Sequence, residues 1–148
     1  MVRKSEQRQS VHFYFDKVNL TLKNRRRLKD FISTLINKEK RDLNTLNYIF
    51  CSDMALLEIN RKYLRHDFYT DVVTFDLSSS PNEIFADIYI SAERVRANAK
   101  ELELSLKEEI HRVMFHGLLH LCDYNDKTRK QRVKIKKKED YYLSLYFH

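Results

Sequence analysis

The sequence predicts an α+β fold, a single domain in which a small mixed four-stranded sheet packs with about five helices. The length supports a single domain over residues 1–148, because chains divide into several domains only well above 148 residues. Apolar residues make up 43% of the chain, which is enough to fill a hydrophobic core. Strand and helix patterns follow one another in the order β-α-β-α-β-β-α-α-α.

Four short segments combine β-branched and aromatic residues, the composition typical of strands. They are residues 11–15, 46–51, 71–75 and 84–90. A polar stretch at residues 78–82 separates the last two and predicts a turn or short loop between them.

The first two helices are predicted from apolar spacing and capping residues. The first has apolar residues at the i, i+3, i+4, i+7 and i+8 positions, namely Leu28, Phe31, Ile32, Leu35 and Ile36. The second is capped by Ser52 or Asp53 and is expected to continue through Met54, Leu57 and Tyr63.

Three further helices are predicted in the second half of the chain. Ser91 caps the third helix, and Ser105 with Glu108 forms the capping-box pattern of the fourth. The fourth helix is apolar on nearly every side from Val113 onward, which predicts that it is buried. A last helix is expected within residues 128–148.

The composition excludes several classes of protein. A single glycine, Gly117, cannot supply a Walker A loop or a G-x-G-x-x-G loop. No apolar run approaches the roughly 20 residues that cross a bilayer, and no signal peptide is visible, so we expect a cytoplasmic protein without membrane association. Two cysteines are too few for a disulfide scaffold. The net charge of +7 is compatible with a nucleic-acid partner.

Two histidines on the buried helix form the candidate metal site. His116 and His120 are four residues apart, so their side chains share one helix face. Asp123 can end this helix, because Asp tolerates the left-handed conformation, and a turn there can bring Asp126 back as an oxygen ligand. Two imidazoles and a carboxylate suit a catalytic zinc ion with one open position, and they also suit a non-haem Fe(II) site. The alternative is that both histidines are ordinary core residues that bind no metal.

Gly117 argues against a zinc protease of the H-E-x-x-H type. Those enzymes carry a glutamate as general base directly after the first histidine, and a glycine in that place cannot accept a proton. A glycine permits close approach of backbone or substrate at this turn of the helix.

Three stretches of the chain match a known set of sequence motifs. Residues 116–126, HGLLHLCDYND, are similar to the signature H-G-x-L-H-L-x-G-Y-D-H. Residues 60–63 and 70–75, NRKY and TDVVTF, resemble N-x-x-Y-R…T-D-V-L-S-F, and residues 86–90, ADIYI, resemble G-D-I-x-I. With these motifs the chain resembles the YbeY endoribonucleases, a family of bacterial rRNA maturation factors. The resemblance implies one zinc ion per chain, with other divalent metals possible, and cleavage of single-stranded RNA. It also implies a role in 16S rRNA 3′-end maturation and ribosome quality control, with the small ribosomal subunit or its assembly factors as partners.

Three departures from the family pattern bear on the candidate site. Asp126 replaces the third histidine, a change that zinc accepts because carboxylate oxygen is also a ligand. Asp123 stands in place of the glycine before tyrosine. Leu64 stands in place of the family arginine, and Arg65, one position later, is the candidate catalytic residue in its stead.

Basic segments and aromatic residues near the signature are candidates for RNA contact. Eight of the twelve residues at 127–138 are Lys or Arg, as are five of the seven at 23–29. The first run begins directly after Asp126, so Lys127, Arg129 and Lys130 are candidate substrate-binding residues, although such runs are often only solvated helix faces. Phe68 and Tyr69 are candidates for stacking on unpaired bases, and a place in the hydrophobic core is the equal alternative.

The sequence therefore predicts a metallo-endoribonuclease whose general base is not identifiable. Two other functions remain open. One is a ribosome-associated RNA-binding factor with a structural metal. The other is a metal hydrolase or peptidase with a non-nucleic substrate, which Gly117 and the positive charge disfavour.

Overall fold

Residues 10–65 and 70–148 are described by the structure, a computed structural model. Four strands form one mixed sheet with the spatial order β1-β2-β4-β3. They are β1 (Val11–Phe15), β2 (Asp42–Cys51), β3 (Val72–Asp76) and β4 (Glu83–Ser91). Strands β1 and β4 run parallel to β2, and β3 runs antiparallel to β4. The predicted α+β class with its four-stranded mixed sheet is confirmed.

Five α-helices accompany the sheet in the described part of the chain. They are α1 (Arg25–Lys38), α2 (Asp53–Ile59), α3 (Ala92–Glu101), α4 (Leu106–Leu121) and α5 (Arg129–Phe147). The side chains of Ser52, Ser91 and Ser105 accept backbone N–H bonds at the starts of α2, α3 and α4, as the sequence predicted. Thr128 begins α5 with a reciprocal capping box to Gln131.

Two elements differ from the sequence prediction. Strand β2 begins at Asp42 rather than at residue 46, because its first residues pair with the start of β4. The second predicted helix does not continue as an α-helix through Tyr63. It ends at Ile59 and is followed by a π-helical segment, Asn60–Leu64, which closes where the N–H of Arg65 bonds the Asn60 carbonyl.

The main core lies between one face of the sheet and the helices α1, α4 and α5. Its largest fully buried side chains include Tyr48, Phe50, Phe115 and Tyr142. Helix α2 covers part of the opposite face through a smaller cluster around Leu56. Helix α4 thus lies against the sheet on one side and contacts α5 on another, which accounts for its apolar character on nearly all sides.

Gly117 sets how closely α4 approaches the sheet. A Cβ atom at this position would lie 3.0 Å from Ile88 Cγ2 and 3.3 Å from Val72 Cγ2. One turn away, the buried Tyr48 hydroxyl donates to the Met114 carbonyl at 3.0 Å. Because residue 117 has no side chain, α4 can lie close to strands β3 and β4. This contact fixes the position of the helical turn that carries His116.

Among the helices of residues 10–65 and 70–148, none has the length and apolar character needed to cross a membrane.

Candidate metal centre

The end of α4 and the turn that follows it bring the candidate ligands together. Asp123 takes the left-handed conformation, with φ of 69°, as the sequence predicted. Its N–H bonds the His120 carbonyl at 3.1 Å, and the N–H of Tyr124 bonds the Leu119 carbonyl at 3.1 Å. This pair of bonds is a Schellman motif, which ends the helix and turns the chain back toward it. The reversal carries Asp126 to the face that holds both histidines.

Three potential ligand atoms converge at this point. The Nε2 atoms of His116 and His120 are 2.9 Å apart, and Asp126 Oδ2 lies 3.4 Å from the first and 3.3 Å from the second. Zinc bonds of about 2.0–2.1 Å in tetrahedral geometry place neighbouring ligand atoms about 3.3 Å apart. The observed spacings are close to that value, so the donor set fits a tetrahedral metal ion with three protein ligands.

The other ring nitrogen of each histidine has a partner that fixes its orientation. His120 Nδ1 lies 2.8 Å from the carbonyl oxygen of Tyr124, which can only accept a hydrogen bond. His116 Nδ1 lies 2.6 Å from Glu139 Oε2. With Nδ1 as the donor in both rings, both neutral rings present the Nε2 lone pair to Asp126. Three acceptor atoms then face one point, and a cation or a proton is required between them.

A proton and a metal ion therefore compete for the same place. Burial disfavours the charged form of His116, but its bond to Glu139 and the negative charges of Glu139, Asp126 and Asp71 outweigh burial and raise its pKa. Burial and the neighbouring charge of His116 lower the pKa of His120. The carboxylates that would favour a proton on His116 would equally favour a divalent cation at this centre.

Glu139 is a supporting residue that the sequence analysis missed. Its side chain is only 8% exposed and bridges His116 to Arg112, whose NH1 lies 3.1 Å from Glu139 Oε1. Arg112 also pairs with Asp140 at 2.8 Å. One signal was available in the sequence: Glu139 occupies the stripe of α5 that otherwise contains the buried residues Ile135, Tyr142 and Tyr146. A carboxylate on an apolar stripe indicates a buried partner.

The turn that carries Asp126 is held from the end of α1. Glu39 accepts hydrogen bonds from the hydroxyls of Tyr124, at 2.8 Å, and of Tyr142. Arg41 NH2 donates to the Cys122 carbonyl at 3.2 Å and to Asp123 Oδ2 at 2.9 Å. Since the Tyr124 carbonyl orients His120, these contacts indirectly hold the second histidine in place.

Asp71, part of the second resembling stretch, lies close enough to affect the site electrostatically. Burial raises its pKa, although His116 and nearby backbone N–H groups act in the opposite direction. Its Oδ2 accepts a bond from Asn98 Nδ2 at 3.3 Å. A buried Glu109 on α4 has its pKa raised by burial and by the charge of Asp71. The surroundings of His116 are therefore rich in carboxylates.

Four further candidate residues lie on the surface. Lys127, Arg129 and Lys130 are exposed and follow Asp126 directly. Arg65 is exposed at the end of the π-helical segment, in the left-handed conformation with φ of 56°. Their roles remain predictions, and Phe68 and Tyr69 fall outside the described residues.

The second basic segment makes packing contacts as well as carrying charge. The guanidinium of Arg25 lies 4.7 Å from the Phe15 ring centroid, and that of Arg27 lies 4.3 Å from the Tyr146 ring centroid. Lys29 Nζ lies 5.5 Å from the Phe13 ring centroid. Three of the five cations at residues 23–29 thus contact aromatic rings of the protein itself.

The fold and the site together define an α+β protein with a three-ligand candidate metal centre. Comparison with known proteins agrees with that class and narrows it. The profile of the family described as Endoribonuclease YbeY matches residues 11–146, and the chain belongs to this family.

Individual relatives support the assignment over nearly the whole chain. The chain is 44% identical to the endoribonuclease YbeY of Cytophaga hutchinsonii over 137 residues, which cover 93% of this chain and 96% of the relative. It is 47% identical to that of Flavobacterium psychrophilum over 117 residues, covering 79% and 83% of the two chains. The solution structure of TM1509 from Thermotoga maritima is similar with a TM-score of 0.65 and 25% identity, covering 93% of this chain and 89% of that one.

Proposed function

We propose that residues 1–148 form one metal-dependent endoribonuclease domain that cleaves single-stranded RNA. The observation that carries the proposal is the convergence of His116, His120 and Asp126 within hydrogen-bonding distance of one another in a chain of the endoribonuclease YbeY family. The net charge of +7 agrees with a polyanionic substrate.

Zinc is the metal that we propose for the centre. Two imidazole nitrogens and one carboxylate leave a fourth position open, as in catalytic zinc sites. An Fe(II) site uses the same three donors, so the donor set alone admits other divalent ions, and elemental analysis of the purified protein distinguishes them. A bound metal would supply a water of lowered pKa and polarise a phosphoryl oxygen of the substrate.

The chain's own residues would orient the centre and bind the substrate. Glu139 holds His116 with Nε2 toward the metal position, and the Tyr124 carbonyl does the same for His120. The exposed Lys127, Arg129 and Lys130 would attract the RNA backbone beside Asp126. We assign Arg65 the stabilisation of charge that develops on the phosphate.

We propose the biological role that the family resemblance implies. This role is maturation of the 3′ end of 16S rRNA and ribosome quality control in the cytoplasm, in contact with the small ribosomal subunit or its assembly factors. Its support is the family match and the name endoribonuclease shared by relatives that are 35–47% identical.

The test is metal-dependent cleavage of labelled single-stranded RNA, with duplex RNA of the same sequence for comparison. We expect cleavage of the single strand, loss with a chelator and recovery on adding zinc. His116→Ala should lose cleavage, whereas the control His148→Ala, at an exposed position beyond α5, should retain it. Binding of metal and RNA without cleavage would instead indicate an RNA-binding factor with a structural metal. Hydrolysis of a peptide but not of RNA would indicate a metal hydrolase or peptidase with a non-nucleic substrate.

A further inference from the structure

A cleft of about 510 Å³ opens beside the metal centre and includes His116 and Asp126 in its wall. It lies between the α3–α4 turn, the exposed side of α4 and helix α5. Small-molecule sites in proteins typically measure about 300–1,000 Å³, so the cleft is large enough for a nucleotide.

One side of the cleft is apolar. It is formed by Leu102 and Leu104 in the α3–α4 turn and by the buried Ile135 of α5. Leu102, the C-cap residue of α3, is 58% exposed, so its side chain is accessible from the cleft. Apolar side chains at the mouth of a cleft can contact the flat face of an unstacked base, whereas in a duplex that face is covered by the neighbouring base pairs.

The two arginines of the cleft differ in how far their positive charge is neutralised. Arg112 is paired with Glu139 and Asp140. Arg132 NH1 bonds the carbonyls of Asp126 and Lys127, at 3.4 and 2.9 Å, and carbonyls do not cancel its positive charge.

Lys136 is also available for a ligand. Its ammonium is 3.9 Å from Asp140, and its side chain is 69% exposed. Three carboxylates line the cleft: Asp126 faces the two histidines, and Glu139 is paired with Arg112 and His116. The third, Glu108, would repel a phosphate, which leaves the side with Arg132 and Lys136 as the favourable position for an anion.

We propose that this cleft binds the nucleotide adjoining the scissile phosphate. Leu102 and Leu104 contact its base, and Arg132 and Lys136 contact the phosphate beyond it. The proposal rests on the proposed function and adds to it the element that selects single strands. It also predicts tolerance toward the identity of the base, because aliphatic side chains contact the face of any base rather than its hydrogen-bonding edge.

The test is equilibrium binding of a fluorescent single-stranded oligonucleotide made of 2′-O-methyl nucleotides, whose integrity during the measurement is checked by gel electrophoresis. Lys136→Gln is compared with Lys100→Gln, an exposed lysine of α3 that lies outside the cleft and outside both basic segments. Leu102→Asn is compared with Leu145→Asn, another exposed leucine outside the cleft. Arg132 is left unchanged, because it also holds the turn that carries Asp126.

Lys136→Gln should weaken binding about two- to fivefold and lower the slope of log affinity against log salt by about 0.7, the value for one neutralised phosphate on a single strand. Leu102→Asn should weaken binding of the normal strand, but not of a strand whose residue in the cleft is abasic. An abasic site is placed at each position of the strand in turn to identify the residue that occupies the cleft. The two control variants should bind like the wild type.

The inference fails if the two cleft variants bind like their controls, or if Leu102→Asn weakens normal and abasic strands equally at every position. An absence of oligonucleotide binding by the wild type would overturn it as well. Because binding is measured without cleavage, a failure of the proposed function is separately visible as a wild type that does not cut RNA with metal present.

Discussion

The carboxylate of Glu139 should be required for metal affinity, although it is not a ligand. Its two oxygens accept from two different donors, His116 Nδ1 at 2.6 Å and Arg112 NH1 at 3.1 Å. In Glu139→Gln one oxygen becomes an NH₂ group. Whichever way the amide turns, its NH₂ group must face either the imidazole N–H or the guanidinium, so one of the two contacts becomes donor against donor.

The expected loss follows from the role of such partners. Replacing a group that orients a metal-bound histidine typically costs 10- to 100-fold in metal affinity, or about 1.4–2.7 kcal/mol. Because Glu139 is buried, we also expect a loss of about 1–3 kcal/mol in the free energy of unfolding from the unsatisfied polar group. Metal affinity is measured by competition with a chromogenic chelator, and stability by urea unfolding of the metal-free protein.

Asp140→Asn is the matched control for this experiment. Asp140 contacts the same Arg112 but is 52% exposed and does not contact either histidine. Its replacement should leave metal affinity unchanged within about twofold, since an exposed ion pair contributes little. The reasoning is refuted if Glu139→Gln binds metal as tightly as the wild type, or if Asp140→Asn loses as much affinity as Glu139→Gln.

Three further predictions concern residues outside the ligand set. Arg65→Ala should reduce turnover more than RNA binding, because the proposed contact forms in the transition state; equal losses in steady-state kinetics and in binding would contradict its role. Replacing Lys127, Arg129 and Lys130 together with Gln should weaken the binding of all single strands alike. The slope of log affinity against log salt should become shallower by about 0.7 for each phosphate that these side chains neutralise in the wild type. An unchanged slope would make them a solvated surface. Burial lowers the pKa of His111. Below about pH 6.5 the unfolded chain therefore binds more protons at this residue than the folded chain does. The free energy of unfolding should fall as the solution is acidified. Urea unfolding of His111→Phe should show a weaker fall than the wild type between pH 7 and pH 5, and identical pH profiles would exclude this contribution.

Most of the fold and the convergence of the three candidate ligands could be predicted because the signals are local. The i, i+4 spacing of His116 and His120 fixes their common face, and the tolerance of Asp123 for the left-handed conformation predicts the turn. The position of Asp126 then follows from the reversal of the chain. Each step depends on residues within ten positions of one another.

The supporting contacts could not be predicted because they join distant parts of the chain. Glu139 lies 23 residues from His116, and Glu39 lies 85 residues from Tyr124. Which residues meet across such separations depends on how α1, α4 and α5 pack. The early start of β2 has the same origin, since only its pairing with β4 defines it. The end of α2 at Ile59 depends on a π-helical turn, for which Met54, Leu57 and Tyr63 give no periodic signal.

The metal content of Asp126 variants tests the central claim most directly. Wild type, Asp126→Ala and Asp126→His are loaded with zinc, dialysed against a weak chelator and measured by elemental analysis. Asp126→Ala leaves two imidazoles and should lose the metal, whereas Asp126→His supplies a third nitrogen and should retain about one ion per chain. Asp123 is unsuited to replace the missing ligand, because its side chain is 82% exposed and paired with Arg41. Full zinc occupancy in Asp126→Ala would contradict the account.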